Sequence, residues 1–300
     1  MKRITLTCVL ILSLSVANAQ SRKIKDLETR LTDITRTFPG KVGISFISDH
    51  GDSIGINSTD TFPLMSVMKF HQALAVCDFL NSLRITLDTT ITVVPSELNP
   101  RTYSPMLNEY PNGGKLTIRQ LMDYSLIQSD NNASNILYNR LINVREVNRF
   151  AHGMIQEQDT SAAFHILYSE EAMGMDVNKA RANWTTPLAA SRLMSVFHDN
   201  RDANPYNGYL WDTMSKCKTG ENRIPRHLTG QGLIIVHKTG TGGTLADGTV
   251  FSMNDVACIT LPDGRHYVLS VFVSDAHCQY GQCEEFIANV SKIIYVYLTE

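Results

Sequence analysis

A chain of 300 residues with 43% hydrophobic and 19% charged residues has the composition of an ordinary globular protein, which excludes disordered, collagen-like and coiled-coil architectures. The formal net charge is only −2, and the sequence contains no cluster of lysines and arginines interleaved with aromatic residues. A nucleic-acid-binding or anionic-membrane surface is therefore not indicated, and we expect a small-molecule partner.

The N-terminal segment has the pattern of a secretory signal. Two basic residues are followed by an apolar stretch from 6 to 16 and by Ala17-Asn18-Ala19, which matches a small-x-small cleavage site. We therefore predict a signal peptide over residues 1–19 and an exported, periplasmic protein. No later segment reaches the roughly 18 apolar residues of a transmembrane helix, so we expect no membrane anchor.

Export permits disulfide bonds among the five cysteines that follow the predicted signal. Cys278 and Cys283 are close enough in sequence to close a small loop, but connectivity cannot be read from spacing, and the pairing stays open. Cys77 lies in an apolar helical stretch, where a buried, unreactive thiol is expected.

The predicted elements change character along the chain. Apolar periodicity predicts a helix over 23–37, and the next segment reads as two strands around a turn at 49–52. Further helices are predicted from Ser66 and over 117–127, 133–142, 187–200 and 284–299, and further strands over 232–240, 250–261 and 266–274.

Strands near both ends with helices between them predict an α+β fold. The expected architecture is an antiparallel sheet flanked by helices from both chain ends, with an inserted all-α lobe. We assign residues 20–63 and 211–300 to the α/β lobe and residues 64–210 to the helical lobe. A ligand site is expected in the cleft between the lobes.

Ser66 and Lys69 are three residues apart in an otherwise apolar stretch. On a helix this spacing places both side chains on one face, where a lysine whose pKa is lowered by burial can accept the serine proton. Backbone N–H groups at a helix N-terminus also stabilise a developing oxyanion. The alternative is a capping serine followed by a lysine that reaches solvent, and the pair alone does not decide between the two.

Two further polar motifs follow in the chain. Ser129-Asp130-Asn131 comes after an apolar helix, and Lys238-Thr239-Gly240 ends a strand. Each alone is typical of a helix-capping loop or a glycine-rich turn. All three motifs in this order have a much smaller chance of coincidence, so together they indicate function.

With these motifs the chain resembles the serine β-lactamase and penicillin-binding peptidase superfamily, and class A β-lactamases most closely. The resemblance covers nearly all of the predicted mature chain. It implies a serine β-lactamase that acts on β-lactam antibiotics without a cofactor or metal, and we expect a monomer.

The resemblance also implies a role for each motif residue. Ser66 is the implied acylated nucleophile, Lys69 its proton partner, and Ser129 the group that passes a proton to the leaving nitrogen. The implied substrate contacts are Asn131 for the acylamide side chain, Lys238 and Thr239 for the carboxylate, the backbone N–H groups of Ser66 and of Thr241 after Gly240 for the oxyanion, and Tyr103 as an aromatic wall.

A β-lactamase must also deliver water to the acyl-enzyme, and class A enzymes use a loop glutamate for this step. Glu170 and Glu171 both qualify, and we favour Glu170 because Met173 follows it at the spacing of the family's apolar anchor. Two solvated acidic residues are the alternative interpretation.

The sequence departs from the common class A pattern around this loop. Gly174 stands where an asparagine helps to hold the water, and Tyr168 and Asn183 stand where many relatives have an Arg–Asp ion pair. We therefore expect a wider and more mobile loop. This combination resembles the branch rich in cephalosporinases and extended-spectrum enzymes, which implies that cephalosporins are preferred and penicillins are also hydrolysed.

The arginine that many relatives keep on the strand after Lys-Thr-Gly is absent. Arg223 is our candidate for its role toward the substrate carboxylate, with Arg226 as the alternative.

Two rival functions use the same scaffold: a D-alanyl-D-alanine peptidase with slow deacylation, and a β-lactam-binding sensor that stays acylated. The lack of a transmembrane segment counts against the sensor. Zinc-dependent hydrolysis has little support, because the nine histidines show no H-x-H or H-E-x-x-H pairing.

Overall fold

Long strands lie near the two ends of the chain, with most of the helices between them. The structure, a computed structural model, describes residues 2–155, 163–174 and 176–300, with side chains from Gln20 onward. The helices are α1 Lys2–Thr37, α2 Met68–Leu83, α3 Ile118–Ile127, α4 Asn131–Arg140, α5 Val144–Ile155, α6 Glu170–Met173, α7 Val177–Ala182, α8 Pro187–Asp199, α9 Pro205–Met214 and α10 Tyr280–Thr299. The strands are β1 Lys41–Ser48, β2 Ser53–Ile56, β3 Phe62–Pro63, β4 Thr90–Val93, β5 Gly114–Thr117, β6 Phe164–His165, β7 Trp184–Thr185, β8 Ile234–Thr241, β9 Val250–Thr260 and β10 His266–Ala276.

The main sheet has five strands in the order β2-β1-β10-β9-β8, and every neighbouring pair is antiparallel. The central strand β10 pairs with β1 from Lys41↔Ser274 to Ser48↔Tyr267, so the last strand lies beside the first. This arrangement, with helices at both chain ends, confirms the predicted α+β fold.

The sheet separates two apolar cores. Val268 and Phe272 of β10 belong to the core that contains the central helices, whereas Val271 and Val273 belong to the core that contains α1 and α10. Successive strand residues point to opposite faces, so one continuous apolar run serves both cores.

The side chains of the predicted signal peptide lie outside the described residues. Within the described part, Leu27 and Leu31 of α1 are buried with Ile287 and Ile294 of α10, which confirms the apolar stripe predicted over 23–37. Among the described helices, none is long and apolar enough to cross a membrane.

The helix predicted from Ser66 begins differently from our expectation. Residues Met65–Val67 form a 3₁₀ turn that runs directly into α2. The sequence patterns did not predict α5, α6, α7 and α9, although the apolar spacing Val147, Ala151 and Ile155 marks the buried face of α5. The predicted lobe boundaries remain predictions.

We predict that Phe272→Ala lowers the free energy of unfolding by about 3–5 kcal/mol, because it leaves a cavity against Phe62, whose ring centroid is 5.9 Å away. Leu83→Ala is the matched control, since Leu83 is 56% exposed. Urea unfolding followed by circular dichroism measures both. Equal effects of the two substitutions contradict the placement of this core.

Candidate active site

Ser66 lies in the 3₁₀ turn that precedes α2. The residue before it, Met65, has φ of +47°, a conformation that costs a non-glycine residue free energy and persists only when the surroundings impose it. Strand β8 presses against this turn at Gly240, where an added Cβ would lie 2.6 Å from the carbonyl oxygen of Leu64. The glycine therefore permits the close approach that brings β8 to the serine.

Lys69 lies one turn after Ser66, with Nζ 3.1 Å from the serine Oγ. Its side chain is fully buried, so the alternative of a lysine reaching solvent is wrong. Nζ also donates hydrogen bonds of 2.6 Å to the carbonyl oxygen of Ser129 and to Oδ1 of Asn131. Burial lowers the pKa of Lys69, and the nearby Glu170 carboxylate opposes that shift.

Glu170 faces the same serine from the other side. The Ser66 hydroxyl donates to Glu170 Oε1 at 3.0 Å, and that oxygen lies 3.1 Å from Lys69 Nζ. Helix α6 begins at Glu170 because Ser169 caps it by accepting the Ala172 N–H. Glu171 is exposed, so of the two candidate glutamates only Glu170 is in contact with the serine.

The Ser129-Asp130-Asn131 segment is shaped by its middle residue. Asp130 is fully buried and caps α4 by accepting the Ala133 N–H at 2.8 Å. Its carboxylate also accepts the Met106 N–H at 2.7 Å. Ser129 is held at φ of +59°, which turns its hydroxyl toward β8.

Asn131 joins this segment to a neighbouring loop. Its Nδ2 donates to Thr102 Oγ1 at 2.8 Å while its Oδ1 accepts from Lys69. Its backbone N–H donates to the carbonyl oxygen of Tyr103 at 3.1 Å. The Tyr103 side chain itself is 59% exposed.

Strand β8 supplies the third motif. Lys238 Nζ donates to Ser129 Oγ at 2.9 Å, and burial lowers the pKa of Lys238 to about 7. Thr239 Oγ1 is hydrogen bonded to Thr219 Oγ1 at 2.6 Å. Thr241, at the end of β8, has an exposed side chain.

Arg223 lies against the end of β8, whereas Arg226 is exposed on the surface. The Arg223 guanidinium is buried and donates to the carbonyl oxygen of Gly240 at 3.1 Å and to Thr241 Oγ1 at 2.8 Å. Arg223, which is not part of the sheet, thus holds a buried positive charge beside Lys238-Thr239-Gly240.

The glutamate loop is closed at its base by an amide. Asn183 is fully buried, and its Oδ1 accepts the N–H groups of Leu167 and Tyr168 at 2.8 and 3.0 Å. Its Nδ2 donates back to the Tyr168 carbonyl oxygen at 2.8 Å. We expected a wider loop because the Arg–Asp ion pair of many relatives is absent. These hydrogen bonds instead hold the base of the loop together. Met175, within this loop, lies outside the described residues.

Among the described residues, one group has the donors of a metal site: His198, Asp199 and His266. His266 pairs with Thr260, which pairs with Ile234, so the group lies toward the end of the sheet opposite Lys238. Its donors do not contact the serine site.

The arrangement provides the parts of nucleophilic catalysis. A serine hydroxyl contacts both a buried amine and a carboxylate, either of which can take its proton. Ser129 accepts hydrogen bonds from both Lys69 and Lys238, and the buried Arg223 lies at the end of β8. The supporting roles of Asp130, Asn183 and Thr219 were not predicted, because a polar residue that forms a buried cap or bridge cannot be told in sequence from one on the surface.

A family model described as a β-lactamase enzyme family matches residues 25–298 of this chain. A curated β-lactamase of Phocaeicola vulgatus is 36% identical, over 99% of this chain and 94% of that protein. The chain belongs to the class A β-lactamase family. It is a serine β-lactamase that hydrolyses β-lactams.

Solved structures support the same assignment. The TLA-3 extended-spectrum β-lactamase matches with a TM-score of 0.86 and 30% identity, over 92% of this chain and 99% of that chain. A class A β-lactamase of Bacteroides cellulosilyticus matches with a TM-score of 0.85 and 27% identity, over 92% and 98%. The enzyme therefore shares both fold and family with these proteins.

We predict that Asp130→Ala lowers the free energy of unfolding by about 2 kcal/mol or more, because it leaves the buried Met106 and Ala133 N–H groups without an acceptor. Asp176→Ala is the matched control: Asp176 also caps a helix but is exposed, so a loss of about 1 kcal/mol or less is expected. Thermal unfolding compares the two. A larger loss in Asp176→Ala contradicts the role of Asp130.

Proposed function

We propose that the enzyme hydrolyses β-lactams through an acyl-enzyme on Ser66 that Glu170-activated water releases, with cephalosporins as preferred substrates and penicillins also accepted. The observation that carries this proposal is the contact of Ser66 Oγ with both Lys69 Nζ, at 3.1 Å, and Glu170 Oε1, at 3.0 Å.

In acylation, Ser66 Oγ attacks the lactam carbonyl carbon and gives its proton to Glu170 or Lys69. The direct hydrogen bond from Ser66 to Glu170 favours the carboxylate as acceptor. The backbone N–H groups of Ser66 and Thr241 stabilise the oxyanion. The ring C–N bond then breaks, and Ser129, which is hydrogen bonded to Lys238, supplies the proton to the nitrogen. The proton taken from Ser66 passes through Lys69, which contacts both Glu170 and Ser129, and restores the Ser129 hydroxyl, so Glu170 is a carboxylate again before deacylation.

In deacylation, Ser66 Oγ is part of an ester and no longer donates a hydrogen bond to Glu170. The carboxylate oxygen is then free to accept a proton from water, which attacks the ester carbonyl. The tetrahedral intermediate expels Ser66 Oγ, and the penicilloate-type or cephalosporoate-type product leaves. Lys69, at 3.1 Å from both groups, is placed to return the proton to the serine.

Substrate orientation is proposed to depend on charge at one end and amide recognition at the other. Lys238, Thr239 and Arg223 receive the carboxylate, and Asn131 binds the acylamide side chain, with Tyr103 at the mouth of the cleft. The preference for cephalosporins is supported by similarity to the TLA-3 enzyme, which is described as extended-spectrum. Gly174 adds to this support, because it places no side chain beside the Glu170 helix.

The cellular setting is part of the same proposal. We propose a signal peptide over residues 1–19, export to the periplasm, and action as a monomer. Edman sequencing of the protein purified from a periplasmic extract tests the cleavage site, and gel filtration tests the oligomeric state.

We predict that Ser66→Ala abolishes turnover of nitrocefin, a chromogenic cephalosporin. Glu170→Gln is expected to acylate more slowly, with Lys69 as the remaining acceptor of the serine proton, and to accumulate acyl-enzyme because the glutamine cannot accept the water proton. Stopped-flow absorbance and intact-protein mass measure the two steps. Glu171→Gln is the matched control and keeps near-normal turnover, since Glu171 is exposed. Normal turnover in Glu170→Gln contradicts the assignment of the base.

A stoichiometric burst without turnover in the unaltered enzyme is the result expected of a peptidase or of a sensor. That outcome contradicts the proposed deacylation step while leaving Ser66 as the nucleophile.

We predict that Arg223→Ala raises the KM for nitrocefin by about 10- to 100-fold, because a charge-assisted hydrogen bond to the carboxylate is lost. Arg226→Ala, an exposed arginine on the same turn, leaves KM within about twofold. Steady-state kinetics compare the two variants. A larger rise in KM for Arg226→Ala than for Arg223→Ala assigns the carboxylate contact to Arg226 instead.

A further inference from the structure

Two cysteines flank the start of α10. Cys278 lies between β10 and the helix and is partly exposed, whereas Cys283 is in the first turn of the helix and is buried in the core that contains α1 and α10. Their sulfurs lie 3.5 Å apart as thiols. A disulfide bond is about 2 Å long, so the sulfurs need to approach by only about 1.5 Å to be joined.

The position of this pair favours a disulfide over two thiols. Within the described part of the chain, only Cys278 and Cys283 have their sulfurs in contact with each other. Burial and the neighbouring Cys278 raise the pKa of the Cys283 thiol above its usual range, so the reduced pair gains no stability as a thiolate. Cys77, as expected, and Cys258 are buried elsewhere, and burial raises the pKa of each to about 12.

The turn that carries the pair also contacts Arg223. Tyr280 lies between the two cysteines in sequence, and its hydroxyl accepts a hydrogen bond from Arg223 Nη2 at 3.2 Å. Glu284 follows Cys283, and its Oε1 is 3.5 Å from Arg223 Nε. The same guanidinium donates to two acceptors at the end of β8. Arg223 is thus held between the first turn of α10 and the end of β8.

The start of α10 is a place where a covalent link has an effect. Gln279 precedes the helix, at the position where the short polar residues Ser, Thr, Asp and Asn are the best caps. Tyr280 is 38% exposed, and helix ends fray more readily than helix centres. A disulfide from Cys278 to Cys283 spans this turn, so it limits the movement of Tyr280 and Glu284.

We propose that Cys278 and Cys283 are a modification site that a low-molecular-weight disulfide oxidises, and that the resulting intramolecular disulfide holds Tyr280 and Glu284 against Arg223. Cys278, after losing its proton to solvent, attacks one sulfur of the small disulfide, whose other half leaves as a thiolate and takes up a proton. Cys283 then loses its proton and attacks Cys278 Sγ, and the second half leaves in the same way. Two protein thiols are oxidised, and one small disulfide is reduced to two thiols. The two cysteines are thus positioning residues for Arg223.

Formation of the disulfide is tested by peptide mapping of the enzyme purified without reductant and incubated with 2-hydroxyethyl disulfide. Trypsin is expected to release residues 266–292 as one peptide, which contains Cys278, Cys283 and no other cysteine. After alkylation in denaturant, mass spectrometry is expected to find this peptide unalkylated and lighter than the reduced peptide by the two thiol hydrogens. Alkylation at both cysteines, or a bond from either one to another cysteine or to 2-mercaptoethanol, overturns the proposal.

A stability measurement shows whether the link closes a turn that is already formed. The oxidised enzyme is expected to unfold about 3–6 °C above the reduced enzyme, because the bond restricts the unfolded chain. Cys278→Ser, at the partly exposed position, is the matched control and is expected to melt at the same temperature with and without dithiothreitol. An equal or lower melting temperature of the oxidised enzyme contradicts the proposed geometry, since a bond that strains the turn does not stabilise it.

The effect on hydrolysis rests on the proposed role of Arg223, whereas formation of the disulfide does not. Reduced enzyme, freed of dithiothreitol by gel filtration, is expected to have a KM for nitrocefin about threefold above that of the oxidised enzyme, with kcat nearly unchanged, because the carboxylate contact is held less firmly. In the double variant Tyr280→Phe, Glu284→Gln this difference is expected to disappear. Equal KM in both redox states, or the same difference in the double variant, overturns the coupling to Arg223.

Failure of the proposed function and failure of this inference give different results. Ser66→Ala lacks turnover but is expected to form the same disulfide. An unchanged KM in Arg223→Ala contradicts the proposed carboxylate contact and leaves the peptide-mapping result as it is.

Discussion

The buried amino group of Lys69 is the constraint on which this site depends. A fully buried polar or charged group without partners costs several kcal/mol, so the surrounding elements must supply hydrogen-bond partners. Lys69 Nζ receives them from the 3₁₀ turn, from the segment before α4 and from α6, through Ser66, Ser129, Asn131 and Glu170. Segments far apart in sequence are thereby held at one point, and Ser66, Glu170 and Ser129 are brought together because one buried amino group needs hydrogen-bond partners.

Much of the fold was predictable because its signals are local. Strand alternation and long apolar runs gave β1, β8, β9 and β10, and a capped apolar helix gave α3, whose Thr117 cap also pairs with Gln120. The motif residues were predictable because their order is improbable by chance. The choice of Glu170 over Glu171 rested on spacing, and the geometry brings Glu170 alone into contact with Ser66.

The rest depends on tertiary contacts that no local pattern records. Asn183 closes the base of the glutamate loop with hydrogen bonds, at the position where many relatives have an Arg–Asp ion pair. It can do so because an amide offers both donors and an acceptor to neighbouring backbone groups. In sequence Asp130 has the pattern of an ordinary loop residue, yet it is fully buried and its carboxylate fixes the conformation of the Ser129-Asp130-Asn131 segment. Thr219 and Thr239 are 20 positions apart in numbering and meet only because β8 and the end of α9 pack together.

The pairing of β1 with β10 also constrains how the chain comes to fold. The first strand can complete its place in the sheet only when residues 266–276 are available, and the main helical partner of α1 is α10, the last helix. Contacts between such distant segments form late, because closing a long loop is entropically costly. During synthesis the N-terminal strand and helix therefore lack these native neighbours until the C-terminal strand and helix have been made.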